Sequence, residues 1–275
     1  MSTIKVNGVE LFYKESGSGP ETIVFSHGLL MDHTMFEAQR AAFEGRYRVV
    51  AYDHRGQGQS ADPGSGYDMD TVATDAAAFI EAINAAPCHF AGLSMGGFVG
   101  MRLAARRPAL IRTLTLMNTG AQKEAAQSRL RYAFLAQLVK LIGTAPFTGI
   151  AVQELFGKST RSSTDPAKQK MLAEWTAKLR SRPKNAAYAL MGVMNRPEFS
   201  AGELAAIRCP TLIITGEDDT AQPPRNSEKL QAAIRNARLI RVPACGHSSS
   251  LEAPQEVIAA MRELVEGKTS AADIR

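Results

Sequence analysis

Residues 88–107 read CHFAGLSMGGFVGMRLAARR, an apolar run followed by a glycine-flanked serine and then by a helical pattern. The centre of this stretch, Gly92-Leu93-Ser94-Met95-Gly96, matches G-x-S-x-G. We expect a strand over 88–92 and a helix over 95–107, with the serine on a tight turn that only small neighbours allow. The N-terminus of such a helix directs backbone N–H groups at negative charge that develops beside the serine. The segment therefore predicts that Ser94 is a nucleophile.

The same alternation of apolar strand and helix runs through most of the chain. Short runs rich in apolar and β-branched residues predict strands at 22–25, 48–52, 88–92, 114–117, 211–215 and 238–242. Helical patterns lie at 69–84, 95–107, 227–235 and 254–266. The alternating residues 4–11, with Asn7-Gly8 at their centre, predict a β-hairpin at the start. Apolar strands that alternate with helices are typical of an α/β fold with a mostly parallel, doubly wound sheet.

Residues 120–200 interrupt this alternation with a pattern that is helical throughout. Apolar residues recur there at helical spacing in two stripes, Tyr132, Leu135, Leu138, Val139 and Ile142 and, further on, Met171, Trp175 and Leu179. We predict that 120–200 form a helical cap inserted into an α/β core of residues 1–119 and 201–267. Most stripe residues should pack the cap onto the sheet, and Trp175, Met171 and Met191 are candidates for the wall of a substrate pocket. The small, polar residues 268–275 are expected to fray.

A serine hydroxyl is a weak nucleophile unless a base accepts its proton, and the base needs an acid to orient it. His247 follows the predicted strand 238–242, so it should reach the carboxyl edge of the sheet, where ligands bind in open α/β sheets. Gly216-Glu217-Asp218-Asp219 follows strand 211–215 at the same edge. The pattern predicts a triad of Ser94, His247 and one aspartate, with Asp218 and Asp219 both candidates.

An oxyanion needs two hydrogen-bond donors near the serine. We expect the backbone N–H of Met95 to be one donor, and that of Leu29, in the loop after strand 22–25, to be the other. His27 lies in the same loop, and we expect it to brace the loop by hydrogen bonds, with a place on the pocket wall as the alternative. The sequence has neither a phosphate-binding loop nor metal-ligand spacing, so we predict no metal and no cofactor.

Composition narrows the class of protein. The 275 residues carry a net charge of +5, but the lysines and arginines are scattered, so we expect no nucleic-acid partner. Three cysteines fit neither a disulfide framework nor a zinc site and suggest a reducing compartment. Residues 1–14 hold no unbroken apolar run and no segment is apolar enough to span a bilayer, so we predict a cytoplasmic protein with no membrane partner. The sequence leaves the oligomeric state open.

Five short segments taken together resemble the α/β-hydrolase superfamily. They are His27-Gly28, Asp53-x-Arg55-Gly56-x-Gly58-x-Ser60, Gly92-x-Ser94-Met95-Gly96-Gly97, Gly216-x-x-Asp219-x-x-x-Pro223 and Gly246-His247. Residues 212–224 and 246–254 are most similar to the branch of 3-oxoadipate enol-lactonases and cofactor-free haloperoxidase-like esterases. The chain departs from that branch at Leu29, where haloperoxidase-like members tend to have an aromatic residue, and in its His-Gly pair, which enol-lactonases often lack. The resemblance implies that the acid lies three residues after Gly216 and four before a proline, which selects Asp219.

We therefore predict hydrolysis of a small carboxylic ester or lactone through an acyl-enzyme on Ser94. Two alternatives stay open: perhydrolysis of haloperoxidase type or carbon–carbon bond hydrolysis on the same triad, and a ligand-binding receptor of the same fold with slow or no turnover. Because the candidate pocket residues of the cap are apolar, we predict that small neutral esters are hydrolysed faster than dicarboxylates. A dicarboxylate substrate would require a cap cation such as Arg129, Arg131 or Lys178 to face the site.

Overall fold

An eight-stranded sheet runs through the structure, a computed structural model that describes residues 2–267. The strands are β1 (Ser2–Val6), β2 (Val9–Ser16), β3 (Thr22–Ser26), β4 (Arg48–Tyr52), β5 (Cys88–Leu93), β6 (Ile111–Met117), β7 (Thr211–Gly216) and β8 (Ala237–Val242). All the strands predicted from apolar runs are present, and β6 differs most because it begins at Ile111 rather than at 114. The tail predicted to fray, 268–275, lies outside the described residues.

Parallel pairing dominates the sheet. The strands lie in the order β1-β2-β4-β3-β5-β6-β7-β8. β2 pairs antiparallel with both β1 and β4, and every other neighbouring pair is parallel. Parallel strands end at the same edge, so the residues that follow β3, β5, β6, β7 and β8 meet along one line. The mostly parallel sheet predicted from the sequence is confirmed.

The hairpin at the start of the chain follows from two residues. Asn7 and Gly8 have φ angles of 47° and 78°. Positive φ at both central positions is what a two-residue type I′ turn requires, and Asn-Gly adopts it readily. The turn places Val6 opposite Val9, and both side chains are buried.

Helices cover both faces of the sheet. They are α1 (Glu37–Phe43), α2 (Met69–Ala82), α3 (Met95–Arg106), α4 (Ala126–Ile142), α5 (Thr148–Leu155), α6 (Lys158–Arg161), α7 (Pro166–Arg180), α8 (Ala186–Met194), α9 (Ala201–Ala206), α10 (Pro224–Ala233), α11 (Ser249–Glu252) and α12 (Pro254–Val265). Successive residues of β3 belong to opposite cores: Val24 packs with α2 and α3, and Phe25 with α1 and α12. This alternation has the period of two expected of a strand buried on both faces.

The chain between β6 and β7 forms the inserted helical cap that was predicted. Helices α4 to α8 lie in this stretch, whereas the boundaries at 120 and 200 remain a prediction. Val139 of α4 is buried against Ala187 and Leu190 of α8, so this part of the stripe packs one cap helix on another rather than the cap onto the sheet. Ile142, at the end of the same stripe, is 55% exposed, so the buried face of α4 stops before the helix does.

Two local features differ from expectation. Helix α1 was not predicted, because only seven residues are too few for a clear periodic pattern. Helix α10 begins at Pro224 rather than at 227, since proline has the φ angle of a first helical turn and lacks the N–H that such a turn leaves unbonded. Within residues 2–267 the structure contains no helix of the length and apolar character needed to cross a membrane.

Candidate active site

Ser94 occupies a strained turn between β5 and α3. Its φ and ψ angles are 51° and −108°, a conformation that residues other than glycine rarely adopt. The turn is held on both sides, because Ser94 N donates to Met117 O at 2.8 Å and Thr119 Oγ1 donates to Ser94 O at 3.0 Å. A Cβ on Gly96 would collide with the backbone carbonyl of Ser26, so the loop after β3 lies close to the serine.

His247 and Asp219 form a buried hydrogen-bonded pair. His247 Nδ1 lies 2.9 Å from Asp219 Oδ2 and 3.1 Å from Oδ1. Ser94 and His247 line the same cavity, and the second ring nitrogen of His247, Nε2, makes no hydrogen bond within residues 2–267. The loops after β5, β7 and β8 therefore bring together the three residues that the sequence nominated.

The Asp219 carboxylate is also held by two donors besides the histidine. Gln222 N donates to Oδ1 at 2.8 Å, and Asn118 Nδ2 donates to Oδ2 at 2.9 Å. The same Asn118 Nδ2 donates to Gly246 O at 3.0 Å, which connects the loop of the acid to the loop of the histidine. Sequence reasoning missed Asn118, although its position directly after β6 places it at the same edge of the sheet.

Neighbouring carboxylates stabilise the protonated form of His247. Burial alone lowers the pKa of His247, but the charge and hydrogen bond of Asp219, with the charges of Glu252 and Glu154, outweigh it. The pKa of His247 therefore lies above its ordinary value. A base of this kind accepts a proton more readily than a solvent-exposed histidine does.

Asp218, the other candidate acid, points away from the histidine. Its Oδ2 accepts a hydrogen bond from Ser159 N in the cap at 2.9 Å. Hydrogen bonds from Ser159 hold the pKa of Asp218 below its usual value. The two adjacent aspartates thus have separate partners, Asp219 the histidine and Asp218 the cap.

Glu252 was not singled out in the sequence, yet its carboxylate is buried beside His247. Oε1 accepts from Ser248 N at 3.0 Å, and Oε2 accepts from Gly246 N at 3.1 Å and from Gly157 N at 2.9 Å. Two of these donors flank the histidine in the chain, and the third belongs to the cap. The sequence alone does not predict these bonds, because they form only when the chain between Gly246 and Glu252 folds so that the carboxylate meets the backbone on both sides of His247.

The side chain of Gln57 contacts both segments that bear the predicted oxyanion donors. The structure shows no hydrogen bond from the backbone N–H of Leu29 or Met95 to any residue in 2–267. Gln57 Oε1 accepts from Leu30 N at 2.9 Å, and Gln57 Nε2 lies 3.5 Å from Met95 Sδ. Gln57 therefore contacts both the loop after β3 and the first turn of α3, which bear the candidate donors.

His27 braces the loop after β3. Its Nε2 accepts from His54 N at 3.0 Å, which leaves the proton on Nδ1 to be donated to Gly28 O at 2.7 Å. The side chain is fully buried, and burial, the largest influence, lowers its pKa. His27 is therefore a neutral structural group, and it is not on the wall of the cavity that contains Ser94.

That cavity measures about 610 Å³, and the cap forms much of its wall. Apolar residues on its wall include Leu29, Phe98, Leu135, Val139, Leu155, Leu179, Leu190 and Val193. Leu135 and Val139 belong to a stripe that we expected mostly to pack the cap, and both also line the cavity.

The other candidates for the pocket wall, Trp175, Met171 and Met191, do not line this cavity. Trp175 is buried in the same apolar cluster as Phe36 and Phe156, and Met171 packs against that cluster. Met191 lines a separate cavity of about 350 Å³ with Tyr67. A helical stripe shows that a face is buried, but not which of two neighbouring surfaces covers it.

Four exposed cations lie on the cavity wall, and we call them the cationic rim: Lys123, Arg131, Arg225 and Lys229. All four are exposed, and none forms an ion pair with another residue in the described part of the chain. Arg131 is thus a cap cation facing the site. Lys178 instead pairs with Asp32 at 3.3 Å, and Arg129 is not on the cavity wall.

A mostly parallel sheet with a strained serine after its fifth strand, and a buried Asp–His pair at the ends of later strands, has the architecture of the α/β hydrolases. The chain belongs to the α/β hydrolase fold family, whose family model matches residues 21–254. This confirms the resemblance inferred from the five sequence segments.

Named relatives lie at about 30% identity. The AB hydrolase superfamily protein YisY of Bacillus subtilis is 31% identical over 260 residues, which cover 90% of this chain and 92% of that protein. The 3-oxoadipate enol-lactonase 1 of Acinetobacter baylyi is 30% identical over 247 residues, 88% of each chain. Among solved structures, a thermophilic esterase from Thermogutta terrifontis superposes with a TM-score of 0.88 at 26% identity, covering 98% of this chain and 97% of that one.

Proposed function

We propose that this protein is a serine hydrolase that cleaves small carboxylic esters or lactones through an acyl-enzyme on Ser94. The observation that carries the proposal is the hydrogen-bonded pair of His247 and Asp219 on a cavity that also contains Ser94. The strained serine turn supports it, because the backbone is distorted at the one residue that would attack the substrate.

In the acylation half of the reaction, Ser94 Oγ attacks the carbonyl carbon and His247 Nε2 takes the hydroxyl proton. Asp219 keeps the Nδ1 proton of the imidazole in place and stabilises the imidazolium. The N–H groups of Leu29 and Met95 hold the oxyanion of the tetrahedral intermediate. When the intermediate collapses, the carbon–oxygen bond to the alcohol breaks and the imidazolium protonates that alcohol.

In the deacylation half, His247 removes a proton from water, and the resulting hydroxide attacks the acyl carbon. Ser94 then leaves and recovers its proton from His247. In an ester the alcohol has departed by this stage, whereas in a lactone it remains attached to the acyl chain, and the product is a hydroxy acid. None of these steps requires a metal ion or an organic cofactor.

The substrate class rests on the wall of the cavity and on the relatives. An apolar wall next to a serine suits the hydrocarbon part of an ester, and the matched relatives include an enol-lactonase and an esterase. The three cysteines are free thiols, which supports a cytoplasmic location as part of the same proposal.

The test is a rate comparison across esters and lactones of graded size, with Ser94→Ala as control. We expect turnover by the parent protein and a loss of kcat on the order of 10⁴ to 10⁶ in the variant. Activity of Ser94→Ala within tenfold of the parent would contradict the proposal. A parallel series with hydrogen peroxide detects perhydrolysis, and single-turnover kinetics on a reactive ester detect a receptor with slow turnover.

A further inference from the structure

The Glu252 carboxylate binds the histidine loop, residues 243–248, and the cap at the same time. Its two carboxylate oxygens accept three backbone N–H groups at 2.9 to 3.1 Å, and the side chain is only 4% exposed. Two of the donors, Gly246 and Ser248, are the residues directly before and after His247 in the chain. A carboxylate that accepts several backbone hydrogen bonds fixes the direction of each peptide group.

The third donor, Gly157, joins this loop to the cap. Gly157 and Gly246 lie so close that a Cβ on Gly157 would be 2.7 Å from Gly246 N. Two residues further along the cap, Ser159 N donates to the Asp218 carboxylate at 2.9 Å. Residues 157–159 are thus bound by the Glu252 carboxylate of α11 and by the Asp218 carboxylate, which lies beside Asp219 in the loop after β7.

We propose that Glu252 is a positioning residue which, with Asp218, clamps cap residues 157–159 onto the two loops that bear His247 and Asp219. The role rests on the proposed function, because it assumes that His247 is the base. Docking of the cap then sets the position of the base, so the segment that encloses the substrate also aligns the proton acceptor.

The charge of Glu252 adds a second effect. Asp219 from the loop after β7, Glu154 from α5 and Glu252 from α11 all act electrostatically on the buried imidazole and raise the pKa of His247. The neighbouring Cys245 thiol is neutral, since burial, with Glu252 and Asp219, raises its pKa far above the ordinary range. Removal of the Glu252 charge should therefore lower the pKa of His247.

The experiment compares Glu252→Gln with Glu256→Gln as the matched control. Both variants remove one carboxylate charge near the site, but Glu256 is exposed and its carboxylate accepts no hydrogen bond from a described residue. The glutamine amide offers one acceptor oxygen, and its NH₂ group would face the N–H of Ser248 or those of Gly157 and Gly246. For Glu252→Gln we expect kcat on one ester to fall by about 10²-fold, because small misplacements of a catalytic group have effects of this size.

Two readouts separate positioning from a general loss of structure. By NMR titration of the imidazole, we expect a lower pKa of His247 in Glu252→Gln than in the parent and in Glu256→Gln. The acid limb of kcat/KM should move to lower pH by the same amount. Equal kcat and equal pKa of His247 in the two variants would overturn the proposal. The titration needs no turnover. It therefore tests the effect of Glu252 on His247 even if the parent protein hydrolyses no ester and the proposed function fails.

A measurement on the parent protein covers the case in which Glu252→Gln does not fold. The backbone amides of Gly157, Gly246 and Ser248 have the Glu252 carboxylate as their only bonded acceptor among the described residues. If the clamp forms, these three amides should resist hydrogen exchange. Exchange at the rate of exposed amides would overturn the clamp. In Asp218→Ala, the Ser159 amide should exchange faster, and an unchanged rate would contradict the contribution of Asp218.

Discussion

Asn118 Nδ2 lies 2.9 Å from Asp219 Oδ2 and 3.0 Å from Gly246 O, so one buried amide group holds both the acid and the loop of the base. Asn118 is fully buried and stands 101 residues from Asp219 in the chain. A hydrogen bond to a charged group contributes about 1.5–3 kcal/mol. The contact therefore has a measurable effect on the alignment of His247.

Replacement of Asn118 by alanine should lower kcat on an ester by roughly 10- to 100-fold, the rate equivalent of that hydrogen bond. KM should change little, because Asn118 is not on the cavity wall. Steady-state kinetics measure both constants, and the control is Asn236→Ala, which removes an amide that donates to Arg208 O and does not line the cavity. An unchanged kcat in Asn118→Ala would show that Asp219 is held without it.

The adjacent aspartates should respond very differently to the same change. Asp219→Asn removes the acceptor that fixes the tautomer of His247, and we expect kcat to fall by roughly 10⁴. Asp218→Asn keeps an acceptor oxygen for Ser159 N, so kcat should stay within about tenfold of the parent. Circular dichroism confirms that both variants fold. A collapse of kcat in Asp218→Asn with a near-normal Asp219→Asn would reverse the assignment.

The pH profile should report the raised pKa of His247. The neutral imidazole is the active form of the base, so kcat/KM should fall as pH drops through this pKa. Because the pKa is raised, the midpoint of that limb should lie above the ordinary value of about 6.5. His27 and His54 do not interfere, since burial lowers the pKa of each. A midpoint at or below 6.5 on a neutral ester would contradict the arrangement of charges around His247.

The cationic rim should favour substrates that bear a carboxylate. The sequence prediction that neutral esters outrun dicarboxylates allowed one exception, a cap cation facing the site, and Arg131 meets that condition. At low salt we expect kcat/KM to be several-fold higher for a half-ester of a dicarboxylic acid than for its neutral diester. Added salt should lower the first rate and leave the second nearly constant, because exposed charges are screened over about 10 Å at 0.1 M.

The control for the rim is a lysine elsewhere on the surface. Arg225→Glu combined with Lys229→Glu should reduce the advantage of the half-ester, whereas Lys5→Glu on the edge strand β1 should not. If the neutral diester is faster at every salt concentration, the rim has no part in substrate selection, and the original prediction stands.

Local signals explain how much of the site could be predicted from the sequence. Ser94 and the histidine loop both directly follow strands rich in apolar residues, and the glycines around Ser94 reflect a close approach of backbone that only glycine permits. The ends of parallel strands determine which residues reach the carboxyl edge of the sheet. These residues can therefore be predicted from the sequence without knowledge of tertiary contacts.

The supporting residues could not be predicted because their roles depend on contacts between distant segments. Glu252 reaches Gly157 across 95 residues, and Gln57 reaches Leu30 across 27. The cap shows the same limit: Trp175 and Leu179 share one helical stripe, yet only Leu179 lines the cavity. Periodicity identifies a buried face, and the packing of whole helices decides what covers it.

The central claim is that Ser94 carries the acyl group during turnover. The most direct measurement is intact-protein and peptide mass spectrometry after rapid acid quench of the protein mixed with a reactive aryl ester. We predict a mass increase equal to the acyl group, located on the peptide that contains Ser94 and absent in Ser94→Ala. Turnover of the ester with no acyl adduct on Ser94, or the same adduct rate in Ser94→Ala, would contradict the account.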